Sequence, residues 1–203
     1  MNTYKSCAEL KDMAKYKLER NYVISIFVFI TILFLENSAS MLLIQIIPAN
    51  TFGQFLIYSI ASFILSAFLG ILQLGSCLFY LNMACGQTYK PEQLFYGFQN
   101  NASAAFTVSL VKSLISFLST LPFCILLRLY SETGNSNLLY ASAICLAAGL
   151  IIQYPITLAL SQSFYLLLDF PEYTGKQALA ASCKVMKKHM GRLLYIQLSF
   201  LPL

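Results

Sequence analysis

"YVISIFVFITILFLENSASMLLIQII", residues Tyr22 to Ile47, is apolar almost throughout until a glutamate, an asparagine and two serines arrive together between Glu36 and Ser40. A helix needs about 20 apolar residues to cross a hydrocarbon core of about 30 Å. This run is long enough to do so, and its reading decides the fold class because three more of the same kind follow: Phe55 to Ala84, Phe106 to Leu127 and Leu138 to Leu168. A fifth begins at Leu193 and meets the end of the chain at Leu203. No segment shows the alternating polarity over about ten residues that a membrane-spanning β-strand requires. The fold is therefore expected to be all-α. It is read as one polytopic bundle over residues 1–203, with about five spans of which the last is incomplete.

Composition agrees. Of 203 residues, 58% are hydrophobic and 10% charged, and the mean hydropathy is +0.69, whereas soluble domains carry about a quarter charged residues. The distribution of the positive charges sets an orientation. Lys5, Lys11, Lys15, Lys17 and Arg20 precede the first run, Lys90 follows the second, and Lys176, Lys184, Lys187, Lys188 and Arg192 follow the fourth. The intervening loops hold only Arg128. Basic loops stay cytoplasmic, which puts the N-terminus inside. The net charge of +5 is thus a topology signal, and nucleic-acid binding is not expected. Anionic lipid head groups are the natural partners of such segments. Lys176, Lys184, Lys187, Lys188 and Arg192 are the candidate contacts, on an interfacial helix from about Lys176 to Met190 whose inward face is expected to be Leu179, Cys183, Met186 and Met190.

The opening of the chain imitates a secretory leader: basic residues, an apolar run to Leu35, then Ser38-Ala39-Ser40. The preceding "YKSCAELKDMAKYKLER" argues against cleavage, since it carries Glu9, Asp12 and Glu19 and sets Cys7, Leu10, Ala14 and Leu18 on one helical face. It reads as a structured amphipathic helix.

The charges inside the runs are the candidate site residues. Glu36 lies about 21 Å along its helix at about 1.5 Å per residue. With Asn37, Ser38 and Ser40 beside it, it reads as the point where the first span leaves the membrane, with Met41 to Ile47 along the outer interface. Lys112 lies about 10 Å into the third span, close enough to its end to snorkel, and about 10 Å from Glu36 in depth. An ion pair between them is not expected. Lys112 shares a face with Ser109, Ser116 and Ser119, a stripe read mainly as helix packing. Ser62, Ser66 and Gly70, and likewise Ala141, Cys145 and Gly149, repeat at intervals of four and allow close approach of backbones. Gln73 and Gln153 complete the polar candidates within the spans, and Pro122 and Pro155 fall inside helices.

An internal repeat is also legible. Aligning "FYLNM" at Phe79 with "FYLLL" at Phe164, a shift of 85 residues, places Leu94 on Leu179 and the third run on the fifth. The implied units are 1–86, 87–168 and an incomplete 169–203, each an interfacial helix followed by two spans.

These segments carry a resemblance. "KQALAASCKVMKKHMGRLLYIQLSF" (Lys176 to Phe200), "LKDMAKYKLERNY" near the N-terminus and "LFYGF" at Leu94 together resemble a bacterial integral membrane family, domain of unknown function 975. The resemblance implies a polytopic membrane protein of Firmicutes-like origin whose relatives continue through a sixth span. It implies no activity.

The residues add none. His189 stands alone beside Lys187 and Lys188, no HExxH, GxSxG or Gly-rich phosphate loop is present, and the six cysteines show no CxxC spacing. No cofactor, metal or catalytic group is expected. The expected function is a non-enzymatic module of the bacterial cytoplasmic membrane that binds lipid, a peptide or a partner protein. The alternative is a transporter or channel subunit with Glu36, Lys112, Gln73 and Gln153 along its path.

Overall fold

The computed structural model describes residues 6–200. They form ten α-helices and one 3-10 turn: α1 (Cys7–Glu19), α2 (Tyr22–Ile46), α3 (Phe52–Leu69), α4 (Leu72–Cys85), the turn (Pro91–Phe95), α5 (Tyr96–Gln99), α6 (Ala102–Thr133), α7 (Ser136–Ala159), α8 (Ser163–Asp169), α9 (Gly175–Met186) and α10 (Met190–Leu198). Four stretches, Tyr22–Ile46, Phe52–Cys85, Ala102–Thr133 and Ser136–Asp169, are long and apolar enough to cross a membrane. Many of their large apolar side chains face outward, among them Phe27, Ile30, Ile64 and Ile151. That pattern suits lipid as the surrounding solvent.

Local chemistry starts several helices where the sequence places its capping residues. Ser6 with Glu9, Thr51 with Gln54 and Thr174 with Gln177 each form a reciprocal capping box, satisfying two otherwise orphaned backbone groups at the helix start. Gly86 ends α4 in the left-handed conformation at φ 73°, which glycine adopts without steric cost.

The helix of the first run does not end at Glu36. α2 runs unbroken to Ile46, because its polar residues bond back to their own helix. Asn37 Nδ2 donates to the Leu33 carbonyl at 2.7 Å, Ser38 Oγ to Leu35 at 3.1 Å and Ser40 Oγ to Glu36 at 2.8 Å. Such side chains need no water when they donate to the preceding turn. The expected interfacial segment Met41 to Ile47 is instead mostly the last turns of the span, which at about 1.5 Å per residue exceeds the hydrocarbon thickness.

The second and fourth runs, expected as continuous helices, are each interrupted, at Gly70–Ile71 and at Leu160–Gln162. The expected fifth span is represented among the described residues by α10, nine residues long, or about 14 Å at about 1.5 Å per residue. Residues 201–203 of that expected span lie outside the described residues. α10 packs on α7, and the Tyr154 hydroxyl donates to Gln197 Oε1 at 2.8 Å.

The core lies where the short helices after the two breaks meet the others. Ile71 and Leu74 beside and in α4, Val108 of α6, Phe164 and Leu167 of α8 and Ala178 of α9 form one buried cluster. Val28, Phe79 and Leu94 form a second between α2, α4 and the 3-10 turn. The extensive α6–α7 and α3–α6 contacts complete the bundle.

α9 corrects the expected inward face. Its buried residues are Gly175, Ala178, Ser182 and Met186, whereas Cys183 is exposed and Leu179 and Met190 are half-buried. Hydrophobicity favoured the larger side chains, but α9 packs on α6 and α8, where close approach selects small residues. A Cβ on Gly175 would lie 2.5 Å from Thr107 Cβ and 2.8 Å from the Ala104 carbonyl oxygen. Lys176, Lys184, Lys187 and Lys188 are exposed, while Arg192 of α10 is half-buried and engaged. α1 likewise buries nothing fully; Cys7 and Leu10 are half-buried and Ala14 and Leu18 exposed.

Candidate functional site

The two helix breaks are built alike. In a continuous α-helix the Ile71 amide would donate to the Ala67 carbonyl. Here it donates to Phe68 at 3.2 Å, which leaves the Ala67 carbonyl without its helical partner. Ser109 of α6 supplies the missing donor, its Oγ 2.6 Å from that oxygen. At the second break the Ser163 amide donates to Leu160 at 3.2 Å, the Ala159 carbonyl is freed, and Ser182 Oγ donates to it at 2.7 Å. An unpaired backbone group in an apolar interior is costly, so each interruption depends on a serine from a different helix.

These serines are expected to bear measurable weight. Ser109→Ala and Ser182→Ala should each lower stability by about 1–3 kcal/mol, the cost of stranding a buried acceptor. Thermal unfolding of the purified protein, followed by thiol-reactive dye at its cysteines, measures this; unchanged melting for both variants would show that the breaks need no partner.

The first break borders a cavity of about 350 Å³ between α2, α3–α4 and α6. Its wall contains Glu36 and Ser40 from α2, Ser62 and Ser66 from α3, Gly70 at the break, Gln73 from α4, and Ser109, Lys112, Ser113 and Ser116 from α6. Three of the four intramembrane candidates, Glu36, Gln73 and Lys112, therefore converge on one volume. Among the described residues Glu36 and Lys112 form no ion pair. Lys112 Nζ instead sits 4.0 Å from the centroid of the buried Phe164 ring, a cation–π contact that partly replaces lost hydration.

Gln153 is elsewhere. It lines a separate hollow with Leu150, Tyr154 and Pro155, and its buried Oε1 has no hydrogen-bond partner among the described residues. The serine stripe divides in role: Ser109 spans the break, the backbone of Ser119 meets Gly149, and Ser116 faces the cavity.

A second cavity of about 260 Å³ adjoins the first and shares Ser62, Ser66, Ser113 and Ser116 with it. Its remaining wall is largely apolar and includes Phe55, Phe63, Phe117 and Leu121. A polar chamber thus opens onto a greasier one along the α3–α6 seam.

Over residues 1–203 the sequence matches the family described as protein of unknown function (DUF975). The chain belongs to this family. Neither the curated proteins nor the solved structures contain a match to it. In this DUF975 protein, sequence reasoning missed Ser40, Ser62, Ser66 and Ser113 as cavity residues and Phe164 as the seat of Lys112. The recurrence of Ser62, Ser66 and Gly70 was visible but pointed to packing. Gln73, three residues beyond Gly70, continues that face across the break, and its meeting with Glu36 and Lys112 gives the face a second use.

Proposed function

We propose that this DUF975 protein is a non-enzymatic, multi-pass module of the bacterial cytoplasmic membrane that binds a small polar ligand inside the bundle. The single observation that carries the reading is the convergence of Glu36, Gln73 and Lys112, with a ring of serines, on one cavity of about 350 Å³. That volume falls within the range of about 300–1,000 Å³ typical of small-molecule sites. Charged groups within membrane spans are expensive and usually functional. In this reading the N-terminus and the basic segments around α1 and α9 lie on the cytoplasmic side, where Lys176, Lys184, Lys187 and Lys188 meet anionic head groups, and Arg192 adds to that basic surface.

Transport is the second reading, and the two broken helices favour it. Interrupted spans beside a polar site are a recurrent feature of transporters, and the break at Gly70–Ile71 lies against the cavity.

Filling the site tests the binding function. Ser66, at the wall shared by both cavities and itself exposed, can accept a larger side chain without entering the core. Native mass spectrometry of the detergent-purified chain is expected to show a small-molecule adduct on the wild type that Ser66→Phe displaces. The absence of any adduct sensitive to Ser66→Phe would remove the proposal. Flux in sealed vesicles that Lys112→Ala abolishes would raise the transport reading above simple binding.

A further inference from the structure

We infer that the ligand of this cavity is an amphiphile with two opposite charges, its cationic group toward Glu36, its anionic group toward Lys112 and its apolar portion in the adjoining chamber. The inference rests on the binding function proposed above and specifies its chemistry. Three independent features lead to it. First, the cavity is lined by one acidic and one basic residue, Glu36 and Lys112, that do not pair with each other. Among the described residues neither has an ion-pair partner elsewhere, and the ammonium lies over the face of Phe164 and near the Cys77 thiol. A charge held away from water without a counter-charge is strongly disfavoured, and a zwitterion compensates both at once. A ligand of single charge would leave one of the two uncompensated.

Secondly, the wall between the charges carries hydroxyl and amide groups beside Leu65 and Leu69. Ser62, Ser66, Ser113 and Gln73 provide donors and acceptors around a polar centre. Thirdly, the four shared serines lead into a chamber whose remaining wall is mainly apolar, with Phe55, Phe63, Phe117 and Leu121 beside Ser59 and Thr120. A purely hydrophilic zwitterion would leave that surface unused, whereas an apolar appendage fills it. The shared chemistry is thus an ammonium and an anionic group joined to a hydrophobic part, which either a phosphoethanolamine lipid or a free apolar peptide supplies.

The test uses the full chain in an uncharged maltoside detergent and four probes: lysophosphatidylethanolamine and leucylleucine as zwitterions, lysophosphatidylglycerol and dodecylamine as single charges. Binding is read by titration and by the shift in melting temperature. The expected result is that at least one zwitterion binds the wild type about tenfold or more tightly than either single-charge probe. Binding of lysophosphatidylethanolamine alone identifies a lipid head group; binding of leucylleucine alone identifies a free solute. Glu36→Gln and Lys112→Met should each reduce zwitterion affinity to that of the single-charge probes. Glu36→Asp and Lys112→Arg, which keep the charges, should retain it and so separate recognition from folding. Equal binding of a single-charge probe and the zwitterions to the wild type would overturn the inference while leaving the cavity a binding site, provided Ser66→Phe still displaces the adduct. If none of the four probes binds, the inference fails, and if Ser66→Phe also displaces nothing, the binding function fails with it.

Discussion

Gly75→Ala is expected to disrupt the bundle more than any other single-methyl change. Gly75 is buried in α4, and a Cβ there would lie 2.1 Å from the carbonyl oxygen of Leu94, 2.4 Å from its carbon and 2.6 Å from the carbonyl oxygen of Gln93. All three are backbone atoms, so no side-chain rotation relieves the clash. α4 and the 3-10 turn must separate. Leu94 would then leave the cluster it forms with Phe79 and Val28, and α2, which buries only Ser25 and Val28, would lose much of its anchorage. Overpacking of a well-packed site costs about 1–3 kcal/mol, and rigid backbone on both sides puts this case at the upper end or beyond. The variant should elute as aggregate or melt far below the wild type; a monodisperse protein with unaltered melting would show that α4 and the turn are less tightly joined than their geometry indicates.

Gly149→Val is expected to have the second largest effect, at the α6–α7 seam. A Cβ on Gly149 would lie 2.3 Å from the Ser119 carbonyl oxygen. Between helices in lipid there is little hydrophobic drive to association, and close van der Waals contact carries much of it. Pushing α7 away by a methyl or more therefore removes the interaction itself along an extensive interface, at a cost of about 1–3 kcal/mol. Unfolding titrations in mixed micelles measure it. Ala141→Val, two positions along the same stripe, serves as the comparison, and an equal effect at both sites would mean that the stripe acts through bulk rather than through the single close approach at Gly149.

The parts of the site readable beforehand and those that were not differ in kind. Glu36, Gln73 and Lys112 stood out because polar side chains in apolar runs are rare, and rarity is visible residue by residue. Their meeting was not visible. A depth count along each helix treated the helices as separate rods and gave no indication that these residues share a chamber. The helix also continues past Glu36 to Ile46, because Asn37, Ser38 and Ser40, counted as residues needing water, each donate within their own helix. Gln153 was grouped with the others by polarity alone, and it lines a different hollow.

What the sequence by itself determined is what depends on short-range or additive properties. Run length and hydropathy established the helical membrane-spanning class, since the cost of leaving backbone groups unpaired in lipid allows little else. The capping pairs Ser6–Glu9, Thr51–Gln54 and Thr174–Gln177, which sequence reasoning did not single out, are local in the same sense, because both partners lie within one turn. Only the tertiary structure decided where the second and fourth runs break, which face of α9 turns inward and which polar residues share a cavity. The breaks are tolerated because Ser109 reaches the Ala67 carbonyl from α6 and Ser182 reaches the Ala159 carbonyl from α9, across 42 and 23 residues of sequence. The face of α9 is chosen by how closely Ala104 and Thr107 approach Gly175. In each case the energy belongs to a pair of distant segments, and neither segment's own composition contains it.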